Sequence, residues 1–505
     1  MSGRRGPLAG SYPAAVALVV TTLVPFLCLT AAVFLVAPQI ERSLHLSAGA
    51  LDVTIALSDA AYAVGTVFAV QLATHLPGRR MLVGYVSLFF VSALLAAWAP
   101  TGAVFVGAFI VEGLCTSLML IAAVPPLVIG WPPRKMPWTG TVMNLAIFGA
   151  VAVGPTVGAL MASSGHWRPL FWAVAGVGAL AMALAALTFE DVPPAGTDVP
   201  WDLVAIGLAV AGCGLAFFGA GWLEAKGHPT ALALVPLVVG IGLVGALVVY
   251  EYRLRRPLMP VKQLATTMPV VGILIALFAS ASAFGLMELV LIAIEHRAGP
   301  TTIAVQFLPE FGAAIVTAGI FGALFRTRCT PVLAFSGLVA LAAAAALLTG
   351  VATGGSATVE VGAGLIGLGV GASVSPALFL AGFSLRSSEV QRVFALIELL
   401  RGVTAFLVAP ILLFLAAVLG PTLASGIGWA SWVCFALAVA GAVGAGTVFY
   451  VGRGRLHTPD LATWAKGEPA WHSPPLLARY RGDPPGEDGD TEEPPADRQV
   501  ERRGA

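Results

Sequence analysis

Four carboxylates stand inside long apolar runs of this 505-residue chain: Asp59, Glu112, Glu288 and Glu310. An ionisable group is costly inside a hydrocarbon layer, and where one occurs it faces an aqueous cavity, a partner or an ion path. No lysine or arginine accompanies the four at their level, so they strongly resist being ionised together. The chemistry open to such a set is exchange. A bound cation favours the ionised form and displaces a proton, and a returning proton displaces the cation. Glu112 is the expected principal exchanger, with Asp59 and Glu288 as helpers and Glu310 as the outlying member. The bland alternative for each is a carboxylate hydrogen-bonded to Ser, Thr or backbone on a neighbouring helix. Glu398 and Arg401, three apart on one helical face, are expected to pair with each other.

The elements that position these groups follow from composition. Hydrophobic residues make up 58% of the chain and charged residues 10%, a balance no water-soluble surface of this size supplies. A helix that crosses a bilayer needs about 20 mostly apolar residues. Fourteen such runs are read between residues 14 and 451, and the four acids fall in those at 51–74, 102–130, 268–294 and 301–325. Asp59, Glu112 and Glu310 lie about eight, ten and nine residues into their runs, and Glu288 about six from the end of its own, which puts all four roughly 9 to 15 Å below one membrane boundary. Loop lysines and arginines divide sixteen to four between the two sides, so the positive-inside bias predicts that both termini are cytoplasmic.

Other chemistries find no footing. Net charge is +1 and no basic cluster suggests nucleic acid. The five cysteines show no C-x-x-C spacing. Histidines 45, 75, 166, 228, 296, 457 and 472 sit in loops or the tail and gather into no catalytic or metal cluster. No enzyme activity, cofactor or metal is expected. The expected partners are a small-molecule substrate, protons and the lipid bilayer, with the protein a monomer.

The fifth run holds FGAVAVGPTVGAL, residues 148–160. Ala150, Gly154 and Gly158 recur every four residues, with Gly149 beside them, and make a smooth stripe that lets another helix approach closely. Pro155 removes the hydrogen bond to the Val151 carbonyl and is expected to bend the helix. Gly149, Gly154-Pro155 and Gly158 also resemble the G-x(n)-G-P-x-x-G signature of major facilitator superfamily antiporters. GHWRPLFW at 165–172, WDLVAIGL at 201–208, EYRLRRPLMPVKQL at 251–264, GLGVGASVSPAL at 367–378 and LLRG at 399–402 resemble further motifs of its fourteen-helix drug:proton antiporter branch. The resemblance implies an all-α membrane protein of two six-helix bundles, 14–188 and 268–452, that rock about a central cavity. Residues 1–13 would be a cytoplasmic N-terminus, 189–267 a linker carrying helices seven and eight, and 453–505 a disordered cytoplasmic tail.

The family pattern also fails in places. Its loop G-x-x-x-D-R-x-G-R-R reads QLATHLPGRR here: Gly78, Arg79 and Arg80 remain, while Gln71 and His75 replace the glycine and the aspartate of this cytoplasmic gate. The acid usual in helix one is missing from CLTAAVFLVAPQI, and Phe109 and Glu112 stand where the family carries arginine and glutamine in helix four. The expected function is export of lipophilic, cationic small molecules in exchange for protons by alternating access. Phe109, Phe148, Phe284 and Phe311 would supply the cavity wall. A facilitator without proton coupling, an exporter of a single metabolite, and a transport-inactive sensor or scaffold are the alternatives.

Overall fold

Each apolar run closes into helix between recognisable end signals. Thr101, Asp202, Thr230 and Thr422 accept a backbone N–H of the first turn that follows them, while Gly165 and Gly227 end helices in the left-handed conformation. A computed structural model describes residues 7–188, 194, 200–295 and 297–481. Arg4, Arg5, most of the 189–199 linker, His296 and the acidic, Pro-rich end of the tail lie outside the described residues. Among the described residues are fourteen helices long and apolar enough to cross a membrane. They are α1 (Tyr12–Leu44), α2 (Gly49–His75), α3 (Gly78–Trp98), α4 (Gly102–Ile129), α5 (Pro133–Ser164), α6 (Arg168–Thr188) and α7 (Leu203–Lys226). The series continues with α8 (Ala231–Arg253), α9 (Thr267–Glu295), α10 (Pro300–Leu324), α11 (Thr330–Leu348), α12 (Ser356–Phe383), α13 (Ser387–Val418) and α14 (Leu423–Val451).

Packing repeats itself. In α1–α6 the pairs are α1 with α5, α2 with α4 and α3 with α6, and the equivalent pairs α9 with α13, α10 with α12 and α11 with α14 build the second bundle. The bundles meet along α2–α13 and α5–α10, which the same correspondence interchanges. The inserted α7 pairs with α8 and runs antiparallel along α2, also touching α13.

The small-residue stripe of α5 finds its partner in α1. A Cβ on Gly154 would sit 2.7 Å from the Cys28 carbonyl oxygen, and one on Gly158 would sit 2.5 Å from the Ala32 oxygen. Between lipid-solvated helices such close backbone approach supplies the attraction that hydrophobicity does not. Upstream of Pro155, which itself sits within regular α-helix, residues Leu145–Gly149 form a π-helical turn. Gly158→Ala should cost about 1–3 kcal/mol, because Ala32 backbone has to move. Gly176→Ala, where a Cβ meets nothing within 4 Å, should leave the unfolding temperature of the detergent-solubilised protein unchanged.

Arginines tie the helix ends together. Arg168 Nη1 and Nη2 donate to the Ala97 and Ala99 oxygens at 3.1 Å and so cap α3, and Arg79 Nη2 donates to Ala186 O of α6 at 2.7 Å. The loop between α8 and α9 is held from both sides: Glu251 accepts from Met259 N at 3.0 Å, and Arg392 Nε of α13 donates to Leu258 O at 2.9 Å.

The expectation of a disordered tail from residue 453 is corrected for its first half. Beyond α14 the chain folds back under the second bundle, where a short helix α15 (Leu461–Ala465) carries a fully buried Trp464. Trp464 and Trp471 pack on Phe383. The mean polarity of the tail concealed these anchors, because two buried indoles suffice to dock a short strap. Asp460 starts α15 by accepting from Thr463 N at 2.9 Å and Ala462 N at 3.1 Å, and also takes the Thr463 hydroxyl at 2.7 Å. These bonds hold its carboxyl below the ordinary carboxylate range. Its contribution is therefore complete above that range and fades as pH falls through the lowered value. Asp460→Ala should loosen the cap by about 1 kcal/mol, raising hydrogen exchange across 461–467 at neutral pH and leaving no acid-dependent step.

Candidate functional site: an acidic cavity between the two halves

Helical spacing sets one stripe of α2 toward the rest of the molecule: Asp52, Ala56, Asp59 and Tyr62 fall on a single face. Because α7 runs antiparallel along that helix, its last turns bring Glu224 to the same level as Asp52, and Gly221 lets the two helices close up against Ala56 and the Asp52 backbone. Across from them, α9 presents Glu288 and α13 presents Phe406 and Pro410. A cavity of ≈ 20 Å³ lies between these side chains, lined by Asp52, Asp59, Glu224 and Glu288 together with apolar groups including Phe34 and Phe406. That is room for about one water molecule. Among the described residues, none that lines it is basic. Four carboxylates contributed by the first bundle, the inserted helix and the second bundle thus meet without a counter-charge, a setting that favours a proton or a cation.

The expected ring of four acids divides. Asp59 and Glu288 share the cavity just described, and Glu310 lines a different one. That second cavity, of ≈ 10 Å³, is bounded by Phe148 of α5, Phe284 and Met287 of α9, and Ile366 and Val370 of α12. Glu310 is 2% exposed and its Oε2 has no hydrogen-bond partner among the described residues. Phe284 meets Phe406 edge-on at 5.1 Å, so one aromatic layer separates the two cavities. Glu112 is buried with both carboxylate oxygens unpartnered among the described residues, and it lines neither cavity. A common depth in the membrane says nothing about azimuth, and azimuth is what separates Glu112 from the others.

The aromatic wall divides in the same way. Phe148 and Phe284 line the Glu310 cavity. Phe311 lies against α5 beside Gly149. Phe109 instead sits within the first bundle, among Phe26, Phe105 and Phe171. Sequence reading missed Asp52 and Glu224. Their signals were the seven-residue interval to Asp59 and the place of Glu224 near the end of a span, where a charge ordinarily reads as an end residue.

The pair on α13 forms as expected and gains a third member. Arg401 Nε and Nη2 donate to Glu398 Oε2 at 3.0 and 2.6 Å, with the two side chains 2% and 0% exposed. Tyr62 of α2 donates its hydroxyl to Glu398 Oε2 at 3.4 Å and accepts from Arg401 Nη2 at 3.5 Å. Arg401 also lies 6.0 Å from the Phe148 ring centre. The charge pair of one bundle therefore closes on two aromatic residues of the other. Further links cross the same boundary: Asn144 Nδ2 to Gly371 O at 2.9 Å, Thr156 Oγ1 to Ala304 O at 3.0 Å and Gln391 Nε2 to Ile121 O at 3.2 Å.

The gate-loop residues have other employment. Gln71 Oε1 accepts from Asp202 N at 3.2 Å, and His75 stacks on Trp201 with centroids 4.8 Å apart. The positions that depart from the family gate pattern thus dock the start of the inserted α7. Arg79 caps α6 as described, Gly78 begins α3, and Arg80 is exposed.

Comparison with known proteins agrees with this architecture. Residues 18–409 match the Major Facilitator Superfamily. The chain is 25% identical over 327 residues to a multidrug resistance protein B homolog of Mycobacterium tuberculosis, covering 62% of this chain and 59% of that protein. It is 26% identical over 190 residues to the lincomycin resistance protein LmrB of Listeria monocytogenes, covering 38% and 40% of the two chains. The matched stretches thus span about two fifths to three fifths of these relatives' own length. Among solved structures, the human organic anion transporter MFSD10 (TETRAN) superposes with a TM-score of 0.59 at 13% identity, over 85% of this chain and 99% of that one. A POT family transporter in complex with a thioalcohol-conjugated peptide does so with a TM-score of 0.63 at 11% identity, over 86% and 96%. With fourteen membrane helices, two like-packed bundles and this match across most of its length, the chain belongs to the Major Facilitator Superfamily of transporters.

Proposed function

We propose that this multi-pass membrane protein exports lipophilic, cationic small molecules in exchange for protons, by alternating access of the two bundles and with both termini in the cytoplasm. The observation that carries the reading is the cavity where Asp52, Asp59, Glu224 and Glu288 converge from both bundles and the inserted helix, with no basic residue in its lining among the described residues. A bound proton or cation neutralises that set, and the two compete for it. Because the carboxylates sit on elements of both bundles, their occupancy bears on how readily the bundles separate. Drug-resistance names among the relatives support an exported, foreign-molecule cargo, and the loop arginines support the orientation.

Within this reading Asp59 and Glu288 are the coupling pair, with Glu224 and Asp52 shaping the field around them. Glu112 moves from principal exchanger to control. The test loads inverted membrane vesicles with a fluorescent lipophilic cation, imposes a pH jump and compares wild type with Asp59→Asn, Glu288→Gln and Glu112→Gln. Cation movement that follows the gradient in wild type and in Glu112→Gln, but not in the other two, supports it. Movement indifferent to the gradient in wild type selects the facilitator instead.

A further inference from the structure

At the end of the molecule that carries the basic loops, a third cavity of ≈ 50 Å³ lies between the bundles. Pro125 and Val128 of α4 and Met143 of α5 face Phe379 of α12 and Val393 of α13 across it, and Trp464 of the tail forms part of its wall. Nothing in the transport fold as such requires a residue from beyond the last membrane helix at this place. Trp464 is 0% exposed, its Nε1 donates to Leu385 O at 3.0 Å, and its ring meets Phe383 at 4.7 Å.

The strap that delivers it is fastened to one bundle. Ala470 N donates to Phe383 O at 2.8 Å at the end of α12, Thr267 N donates to Pro474 O at 3.0 Å, and Met268 N donates to Ser473 Oγ at 2.9 Å at the start of α9. Among the described residues its contact with the other bundle is packing: α15 lies against Pro133–Lys135, which opens α5. An element tied by hydrogen bonds to one moving body and only packed on the second travels with the first and parts from the second at modest cost. Arg326 Nη2 to Pro133 O at 3.1 Å closes the same mouth beside it.

We propose that Trp464 and the strap 456–475 are a gate residue and gate segment of the translocation path, sealing the basic-end mouth between α4–α5 and α12–α13. The strap rides on the second bundle and lifts from residues 133–135 whenever the path opens at that end. It rests on the transport fold alone, so it stands or falls separately from proton coupling and cargo.

The test is the reactivity of a cysteine placed in the cavity. Gly382 lines it, and a Cβ there meets nothing within 4 Å, so Gly382→Cys fits without repacking. In a full-length Cys329→Ser background, which removes the exposed thiol, a membrane-impermeant maleimide is applied to sealed vesicles of both orientations. Labelling should be slow with the strap intact, rise about tenfold or more in Trp464→Ala, and return toward the parent rate in Trp464→Phe. Equal labelling of parent and Trp464→Ala overturns the gate. Should Trp464→Ala not fold, cysteines scanned in pairs between 461–465 and 133–135 decide the matter. An oxidised pair should halt transport and slow labelling until reductant is added, and continued transport through the cross-linked strap overturns the proposal. Labelling that responds to Trp464 in vesicles that move no dye keeps the gate and removes the export reading.

Discussion

Asp59→Asn combined with Glu288→Gln is expected to abolish pH-driven cation movement, and each change alone to slow it at least about tenfold, equivalent to about 1.4 kcal/mol. The amides match the carboxylates in size and can occupy the same cavity, so packing is preserved while the ability to exchange a proton is removed. Glu224→Gln should have a smaller effect of the same sign, because the Asp59 and Glu288 pair remains. Asp52, one turn from the start of α2, should matter least. Protein yield and unfolding temperature serve as the control for folding. A double variant that still transports at the wild-type rate under the imposed gradient, and loses transport when the gradient is collapsed, would place the exchange elsewhere.

Arg401→Met should be the most damaging single change to stability, at about 3–5 kcal/mol, because it leaves Glu398 buried and uncompensated. Glu398 Oε1 already lacks a partner among the described residues, so the whole of its support comes through Oε2, which accepts from Arg401 and Tyr62. Adding Glu398→Leu to Arg401→Met should recover most of the lost unfolding temperature, since a hydrophobic pair replaces an orphaned charge. Transport should not recover with it. The pair closes on Tyr62 and lies near Phe148, so it aligns α13 with α2 and α5 where the bundles meet, and an apolar pair cannot reproduce that register. Full recovery of transport in the double variant would reduce the charge pair to simple filling. Tyr62→Phe, which keeps the ring and its contact with Phe406 at 5.9 Å, isolates the hydroxyl and should cost far less than Arg401→Met.

How much was legible in advance differs by the range of the interaction. The Glu398–Arg401 pair was readable because both partners sit on one helix, three residues apart, where backbone geometry alone brings them together. Tyr62, the third member, is separated from Glu398 by 336 positions, and no local rule connects them. The glycine stripe of α5 announced a close neighbour without naming α1. Asp59 and Glu288 were recognised as costly in a membrane. Their membership of one cavity, the exclusion of Glu112 from it, and the entry of Asp52 and Glu224 depended on helix rotation and on α7 lying antiparallel to α2. Even the departures from the family gate motif, Gln71 and His75, gained a role only when α7 was seen to start against them.

The chain by itself determined the number of spans and, in the fifth, the stripe able to tolerate close contact, because hydropathy and small-residue spacing act within a few turns of backbone. Tertiary structure alone decided which carboxylates share a cavity, which aromatic rings form its walls, and that a polar tail folds back to place Trp464 between the bundles. Those outcomes depend on the relative rotation and depth of whole helices. In lipid such choices come from packing summed over many weak contacts, and no short stretch of sequence holds that sum.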